Sequence, residues 1–464
     1  VQCHGVSVSS RNDVMSKTRM PHYRFPRPST GAVRAVIALL QPPGSCKAFT
    51  RSGSSYPPLG LCQLAATVQG RGNNLSPVID ADGEGWSDET TLKHILSMRP
   101  KAVGMSVTSG TKQLCERWGA MLKREAQPSP LRVVLGGPEA SMDPRGVLTS
   151  CPSADAVVRG EAEVIFPELV DRLLEDMPLQ GLRGVLERSQ EGPELPELLR
   201  VPKGGFPSLP FPALNDLPVH RYWCPDAVRS PMVTFHSTRG CPFKCGFCAS
   251  PELLGKKVRG WGVEDVLDEL EWLVQEKGVK EVSFVDDVFT AIPRRTQALC
   301  EGMVQRELGL SWFCNARADQ VNARLADAMA AAGCHQVYIG MESGDPEMLK
   351  FISKGAKLPT LERGAALLGA AGVKRSVGFV IGLPGETDET VSRSIELAKR
   401  VKPERIQFSR WTPLAGSPLV KAGYGRTEGG DAGFHDRLAE DQVSRWLARC
   451  YSECWGDGWG KTSV

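Results

Sequence analysis

The chain has 464 residues, of which 41% are hydrophobic and 23% charged, and its formal net charge is +3. That length predicts two or three domains, each able to bury a core of its own. Near-neutral charge argues against nucleic acid as the main partner, and the sequence has no run of ~18 apolar residues to suggest a membrane span.

Residues 1–31 are polar and basic (Arg11, Lys17, Arg19, Arg24, Arg27) and show no periodicity, which reads as a disordered leader. A second reading places the true start at Met15 or Met20. From Ala32 short apolar runs alternate with helical patterns. Val33–Leu40, Leu75–Asp80, Ala102–Val107 and Leu131–Gly136 are expected strands. Between them Leu61, Leu64, Ala65 and Val68 mark a helical face at i, i+3, i+4 and i+7. Such alternation implies a Rossmann-like, doubly wound parallel sheet over residues 32–177, with ligands at the carboxyl ends of its strands.

Residues 178–230 are crowded with proline and glycine and read as a connection. Phe206, Leu209, Phe211 and Leu214 make it too apolar for a free tether. Alternation resumes over residues 231–420. Six strands are expected, at Met232–His236, Glu281–Val285, Ser311–Asn315, Gln336–Met341, Arg375–Ile381 and Glu404–Ser409. Six β/α units are too few to close an eight-fold barrel, so an open (β/α)6 barrel is expected. Residues 421–464 form a short extension in which Leu438, Val443, Trp446, Leu447 and Tyr451 suggest one amphipathic helix.

The most informative stretch follows the first strand of the second region. It reads Thr-Arg-Gly-Cys-Pro-Phe-Lys-Cys-Gly-Phe-Cys, with cysteines at Cys241, Cys245 and Cys248. Three thiolates can hold three irons of a [4Fe–4S] cluster and leave the fourth open, whereas a structural zinc site normally takes four protein ligands. Zinc would need Cys224 or His236 as the fourth. The 14 cysteines make no regular disulfide framework and no apolar signal segment precedes them, so a reducing cytosol is expected. Cys450 and Cys454 stand four apart, either as metal ligands on one helical face or as inert thiols.

The C-x3-C-x2-C spacing resembles the signature of the radical S-adenosylmethionine (SAM) superfamily, and further stretches support the likeness in the correct order. Phe247 stands where that family keeps an aromatic, with its backbone facing the adenine. The run Ser-Phe-Val-Asp-Asp carries Asp286 and Asp287, which the resemblance places on the SAM or substrate side as candidate catalytic carboxylates; the alternative is a helix cap or turn. Arg317 would pair with the SAM carboxylate or with an acidic neighbour. Glu342 and Ser343 in Met-Glu-Ser-Gly, and Gly378 and Gly382 in Gly-Phe-Val-Ile-Gly-Leu-Pro-Gly-Glu, would lie beside SAM. Trp411 is either a pocket wall or core.

Residues 32 to about 175 resemble the B12-binding domain that precedes many radical SAM barrels. The matching stretches hold Tyr56, Pro57 and Leu59; Thr108 and Ser109; Gly136 and Gly137; and Glu161, all implied cobalamin contacts. The mutase-type Asp-x-His-x-x-Gly is altered here, with Asp82 where the cobalt-binding histidine would stand, so no protein imidazole is expected beneath cobalt. Together the parts resemble the cobalamin-dependent radical SAM methyltransferases. The resemblance implies a [4Fe–4S] cluster, SAM and methylcobalamin, an external flavodoxin- or ferredoxin-like one-electron reductant, and methyl transfer to an unactivated carbon or phosphorus of a small-molecule or peptide natural-product intermediate. Cyclisation or rearrangement without methyl transfer is the alternative, and a non-enzymatic module with a zinc-filled loop is a third.

Overall fold

Buried apolar runs make the strands, and amphipathic stretches make the helices that cover them. The computed structural model describes residues 35–50, 54–69, 75–190, 192–425 and 440–455. The run Ile37–Gln41 (β1) is buried at four of its five positions, as suits a parallel strand covered on both faces. It lies between Val78–Asp80 (β2) and Ala102–Ser106 (β3), followed by Arg132–Gly136 (β4) and Ala156–Val158 (β5). Val185–Glu187 (β6) adds an antiparallel edge, giving the order β2-β1-β3-β4-β5-β6. The last two strands were not expected, because three residues are too short to display a period. The expected leader lies outside the described residues.

Met232–Phe235 (β7) opens the second sheet. Thr238–Arg239 (β8) and Arg259–Gly260 (β9) then form a small antiparallel pair around the cysteine loop. Glu281–Phe284 (β10), Ser311–Ala316 (β11), Cys334–Glu342 (β12), Lys374–Ile381 (β13) and Arg405–Arg410 (β14) complete the order β14-β13-β12-β11-β10-β7, all parallel. Six parallel strands with unpaired outer edges make an open (β/α)6 barrel. Both sheets belong to one packed unit.

The proline- and glycine-rich stretch is more than a connection. Its first residues supply β6, and its later ones close the amino-terminal end of the barrel. There Asp226 accepts from Gln336 Nε2 at 2.7 Å and pairs with Arg405. Glu281 accepts from the Val228 amide at 2.9 Å and from the Arg229 amide. Tyr222 ties the stretch to the first sheet, donating its hydroxyl to the buried Asp80 at 2.6 Å. The two bonds to Glu281 also satisfy backbone amides that a free linker would leave to water.

The helix Glu440–Trp455 covers the β14 edge, which would otherwise present unpaired backbone. Tyr451 Oη accepts from the Phe408 amide at 3.1 Å and donates to its carbonyl at 2.9 Å. Trp446 Nε1 donates to Asp388 at 2.6 Å, fastening the helix to its neighbour. Cys450 and Cys454 are buried in the same core, as is Trp411.

Candidate active site

β7 delivers the chain to the cysteine loop, and two carboxylates at the end of β10 hold that loop from beneath. Asp286 is fully buried and accepts from the Ser237 amide (2.7 Å), Ser237 Oγ (2.7 Å) and Thr238 Oγ1 (2.5 Å). Burial raises its pKa, against the pull of those donors. Asp287 accepts from the Gly240 amide at 3.0 Å, and burial raises its pKa against the pull of nearby donors. Both carboxylates, expected as catalytic candidates or as a cap or turn, are engaged by the segment leading to Cys241, and through those bonds they brace the loop. Gly240 sits at φ +99°, where a Cβ would collide with the Lys257 carbonyl.

Cations gather at the cysteines. Arg317 Nη1 lies 3.7 Å from Cys245 Sγ, and its guanidinium stacks 3.8 Å from the Phe243 ring centre. Asp319 (3.0 Å) and the Lys354 carbonyl (2.7 Å) hold that arginine in place. Lys354 pairs with Glu342 at 2.7 Å, both buried. Burial raises the Cys245 pKa while Lys354 and Arg317 lower it. Glu342 ends β12 at φ +66°, a conformation costing of order 1–3 kcal/mol for a residue with a side chain. Ser343 Oγ accepts from the Asp345 amide at 3.1 Å. A Cβ at Gly378 would collide with the Tyr338 hydroxyl, so this glycine leaves room for that ring on the barrel-interior side. Gly382, at φ +90°, packs under Val443. Glu386 accepts from the Gly382 and Leu383 amides, and burial lifts its pKa to about 7. Phe247 is half-buried against the barrel core.

A cavity of about 360 Å³ opens between the first sheet and the barrel. Of the expected cobalamin contacts, Leu59, Gly136, Gly137 and Glu161 line it. Tyr56, Pro57, Thr108, Ser109 and Asp82 do not. Asp82 instead accepts from the Gly44 (2.5 Å) and Cys46 (3.2 Å) amides, bracing the turn after β1. Tyr56 packs with the barrel core, Thr108 bonds Thr111 within its own loop, and Ser109 is exposed. Gln63, Phe166, His236 and Arg239 also line the cavity and were missed. Gln63 and Phe166 sit on helical faces that read simply as core, and the other two belong to the barrel.

The cavity wall and the cysteine loop meet in a buried ion-pair network. Arg239, two residues before Cys241, pairs with Glu163 at 2.7 Å and Glu161 at 3.3 Å. Arg259, its partner across β8–β9, pairs with Glu161 at 2.6 Å. Glu161 also accepts from the Val201 amide at 2.6 Å, and Phe206 stands 5.4 and 5.7 Å from the two guanidinium carbons. Buried charges persist only when paired this fully.

The residues fit an anionic cluster and a large cofactor that presents both apolar and polar surface. Arg317 and Lys354 suit thiolate sulfurs. At Gly60 and Gly136 an added Cβ would meet nothing within 4 Å, so both leave open space for a ligand in the cavity wall. The zinc alternative loses its fourth ligand: Cys224 packs beside Tyr56 and His236 turns to the cavity. Such a site defines an enzyme that sets an iron–sulfur loop beside a corrinoid-type α/β domain.

Comparison with known proteins agrees. Residues 235–398 match the radical SAM superfamily, and residues 47–170 match the B12 binding domain. The chain is 34% identical over 383 residues to the uncharacterized methyltransferase PH0819 of Pyrococcus horikoshii, covering 82% of each chain. It is 27% identical over 456 residues to the cytidylyl-2-hydroxyethylphosphonate methyltransferase of Streptomyces wedmorensis, covering 86% of this chain and 83% of that one. It shares its fold with the radical SAM methyltransferase TsrM from Kitasatospora setae, solved with cobalamin and a [4Fe–4S] cluster, at TM-score 0.69 and 18% identity, covering 91% of this chain and 89% of that one. The chain belongs to the cobalamin-dependent radical SAM methyltransferases, and its cofactors are SAM, a [4Fe–4S] cluster and cobalamin. No helix among the described residues is long and apolar enough to cross a membrane.

Proposed function

We propose that this enzyme moves a methyl group from SAM, by way of bound cobalamin, to an unactivated carbon or phosphorus of a small-molecule or peptide intermediate, in a reducing cytoplasm and with an external flavodoxin- or ferredoxin-like electron donor. The single observation that carries this reading is the Arg239 network, which joins a wall of the cobalamin-type cavity to the segment two residues from the first cluster cysteine. A cluster and a corrin working in one reaction need such adjacency.

In this reading Cys241, Cys245 and Cys248 hold the cluster, and Arg317 and Lys354 balance its negative charge. Asp286, Asp287 and Gly240 fix the loop's course. Glu342, Ser343, Gly378 and Gly382 form the SAM side of the barrel, with the Phe247 backbone facing the adenine. Gly136, Gly137, Leu59 and Glu161 form the cobalamin side. When bound, the cofactors supply a carbon-centred radical and a transferable methyl group; the chain's share is binding, orientation and exclusion of water. The linker seals the far end of the barrel and the last helix seals its edge, which keeps solvent from those two sides.

Anaerobic incubation with trideuteriomethyl-SAM, hydroxocobalamin, a low-potential reductant and candidate substrates tests the reading. Labelled methylated product together with 5′-deoxyadenosine is the expected result. A cyclised product with no gain in methyl mass would move the enzyme to the rearrangement class.

A further inference from the structure

His236 follows β7 directly and stands five residues before the first cluster cysteine, and it is one of the barrel residues that line the cavity. Neither ring nitrogen has a hydrogen-bond partner among the described residues, and Nδ1 is sealed from solvent. Its neighbours are fully engaged: Ser237 by Asp286 and Arg295, and Arg239 by the two glutamates. The imidazole is therefore left with Nε2 as the atom that can meet a ligand. Burial, helped by the Arg239 charge, pushes its pKa down to about 3, so the ring is neutral and Nε2 can carry its proton.

A buried polar group without a partner is costly and rare, and a site facing a cofactor cavity is where one is expected. Two roles are open to a neutral imidazole there, cobalt ligation or hydrogen-bond donation. A metal-ligating histidine almost always donates its other ring N–H to a carboxylate or carbonyl. Here Nδ1 has no such acceptor. With Nδ1 as the bare nitrogen, the proton sits on Nε2 and points to donation.

We propose that His236 is a cobalamin-contacting residue contributed by the barrel, donating its Nε2–H to an oxygen acceptor of the cofactor without ligating cobalt. The proposal rests on the reading that this cavity takes the cobalamin. It gives the radical SAM domain a direct hand in holding the other domain's cofactor, which the Asp82 position, engaged by the turn after β1, does not provide.

The test uses the full chain with reconstituted cluster and hydroxocobalamin, with affinity read by equilibrium dialysis. His236→Leu keeps bulk and removes the donor, and should weaken binding roughly tenfold. His236→Gln places an amide N–H near the Nε2 position and should stay within about threefold of wild type. Iron content and thermal midpoint should be unchanged in both. EPR of bound cob(II)alamin should show no splitting from a protein imidazole. Should His236→Leu fail to fold, His236→Asn, whose amide reaches only the Nδ1 position, should show the same weakening. Wild-type affinity in a folded Leu or Asn variant would overturn the proposal. So would an imidazole nitrogen splitting present in wild type and lost in the variant, because His236 would then be a cobalt ligand. Failure of the wild type itself to bind hydroxocobalamin would instead defeat the cavity reading.

Discussion

Asp286 and Asp287 show how tertiary partners add a positioning role to residues read from the sequence as candidate catalytic carboxylates or as a cap or turn. Paired carboxylates at a strand's end suggest chemistry, but Asp286 accepts three bonds from Ser237 and Thr238, and Asp287 accepts the Gly240 amide. Asp286→Asn should therefore lower iron per chain and cost about 1–3 kcal/mol in denaturant unfolding, while hydroxocobalamin binding stays near wild type. Unchanged iron content would return Asp286 to the list of substrate-facing groups. Cys245→Ala should abolish cluster assembly and likewise leave cobalamin binding intact, as checked by absorption spectra of the reconstituted protein. The cysteines were legible because their chemistry depends on spacing along one loop. The partners of Asp286 were not, because its donors, Ser237 and Thr238, lie just after β7, 49 and 48 residues away in sequence.

Elements show the same division. The final helix was visible from its apolar period, but its role in covering β14 depends on Tyr451 reaching Phe408 backbone across the fold. Tyr451→Phe should cost about 1 kcal/mol and speed hydrogen exchange at the Phe408 amide. In the helix Val263–Lys277, Glu269 is buried and has no ion pair or hydrogen bond among the described residues. Burial lifts its pKa from 4.5 to about 8. Between those values the folded chain holds a proton that the unfolded chain has released, so Glu269 makes stability fall as pH rises through that window. The loss should be on the order of 4 kcal/mol by pH ~8. Glu269→Gln should flatten this part of the profile, measured by urea unfolding at several pH values. A profile as steep as that of wild type would mean Glu269 is not the group responsible.

At the scale of the whole molecule, the Arg239–Glu163 and Arg259–Glu161 pairs couple the first sheet to the cysteine loop. Arg239→Met strands Glu163 as a buried charge, and a loss of about 3–5 kcal/mol is expected. Arg239→Met combined with Glu163→Gln should recover much of it, because the orphaned charge is gone. Both cofactors should bind more weakly in the single variant, unlike Asp286→Asn, which should affect only the cluster. Equal effects of the single and double variants on unfolding would show that the pair is not coupled.

By itself the sequence determined the periods of most strands and helices, the order of the two α/β regions and the cysteine, glycine and acidic motifs, since each is local and repeats or clusters within a few tens of residues. Tertiary structure decided which of those residues meet. It gave Asp286, Asp287 and Asp82, read as candidate catalytic or cobalamin-side residues, each a set of backbone or hydroxyl donors. It drew the proline-rich connection into both halves of the fold. It also turned His236 and Arg239 from the barrel toward the other domain's cavity. The physical reason is that a buried polar group must find partners wherever the fold brings them, and those partners lie far apart along the chain.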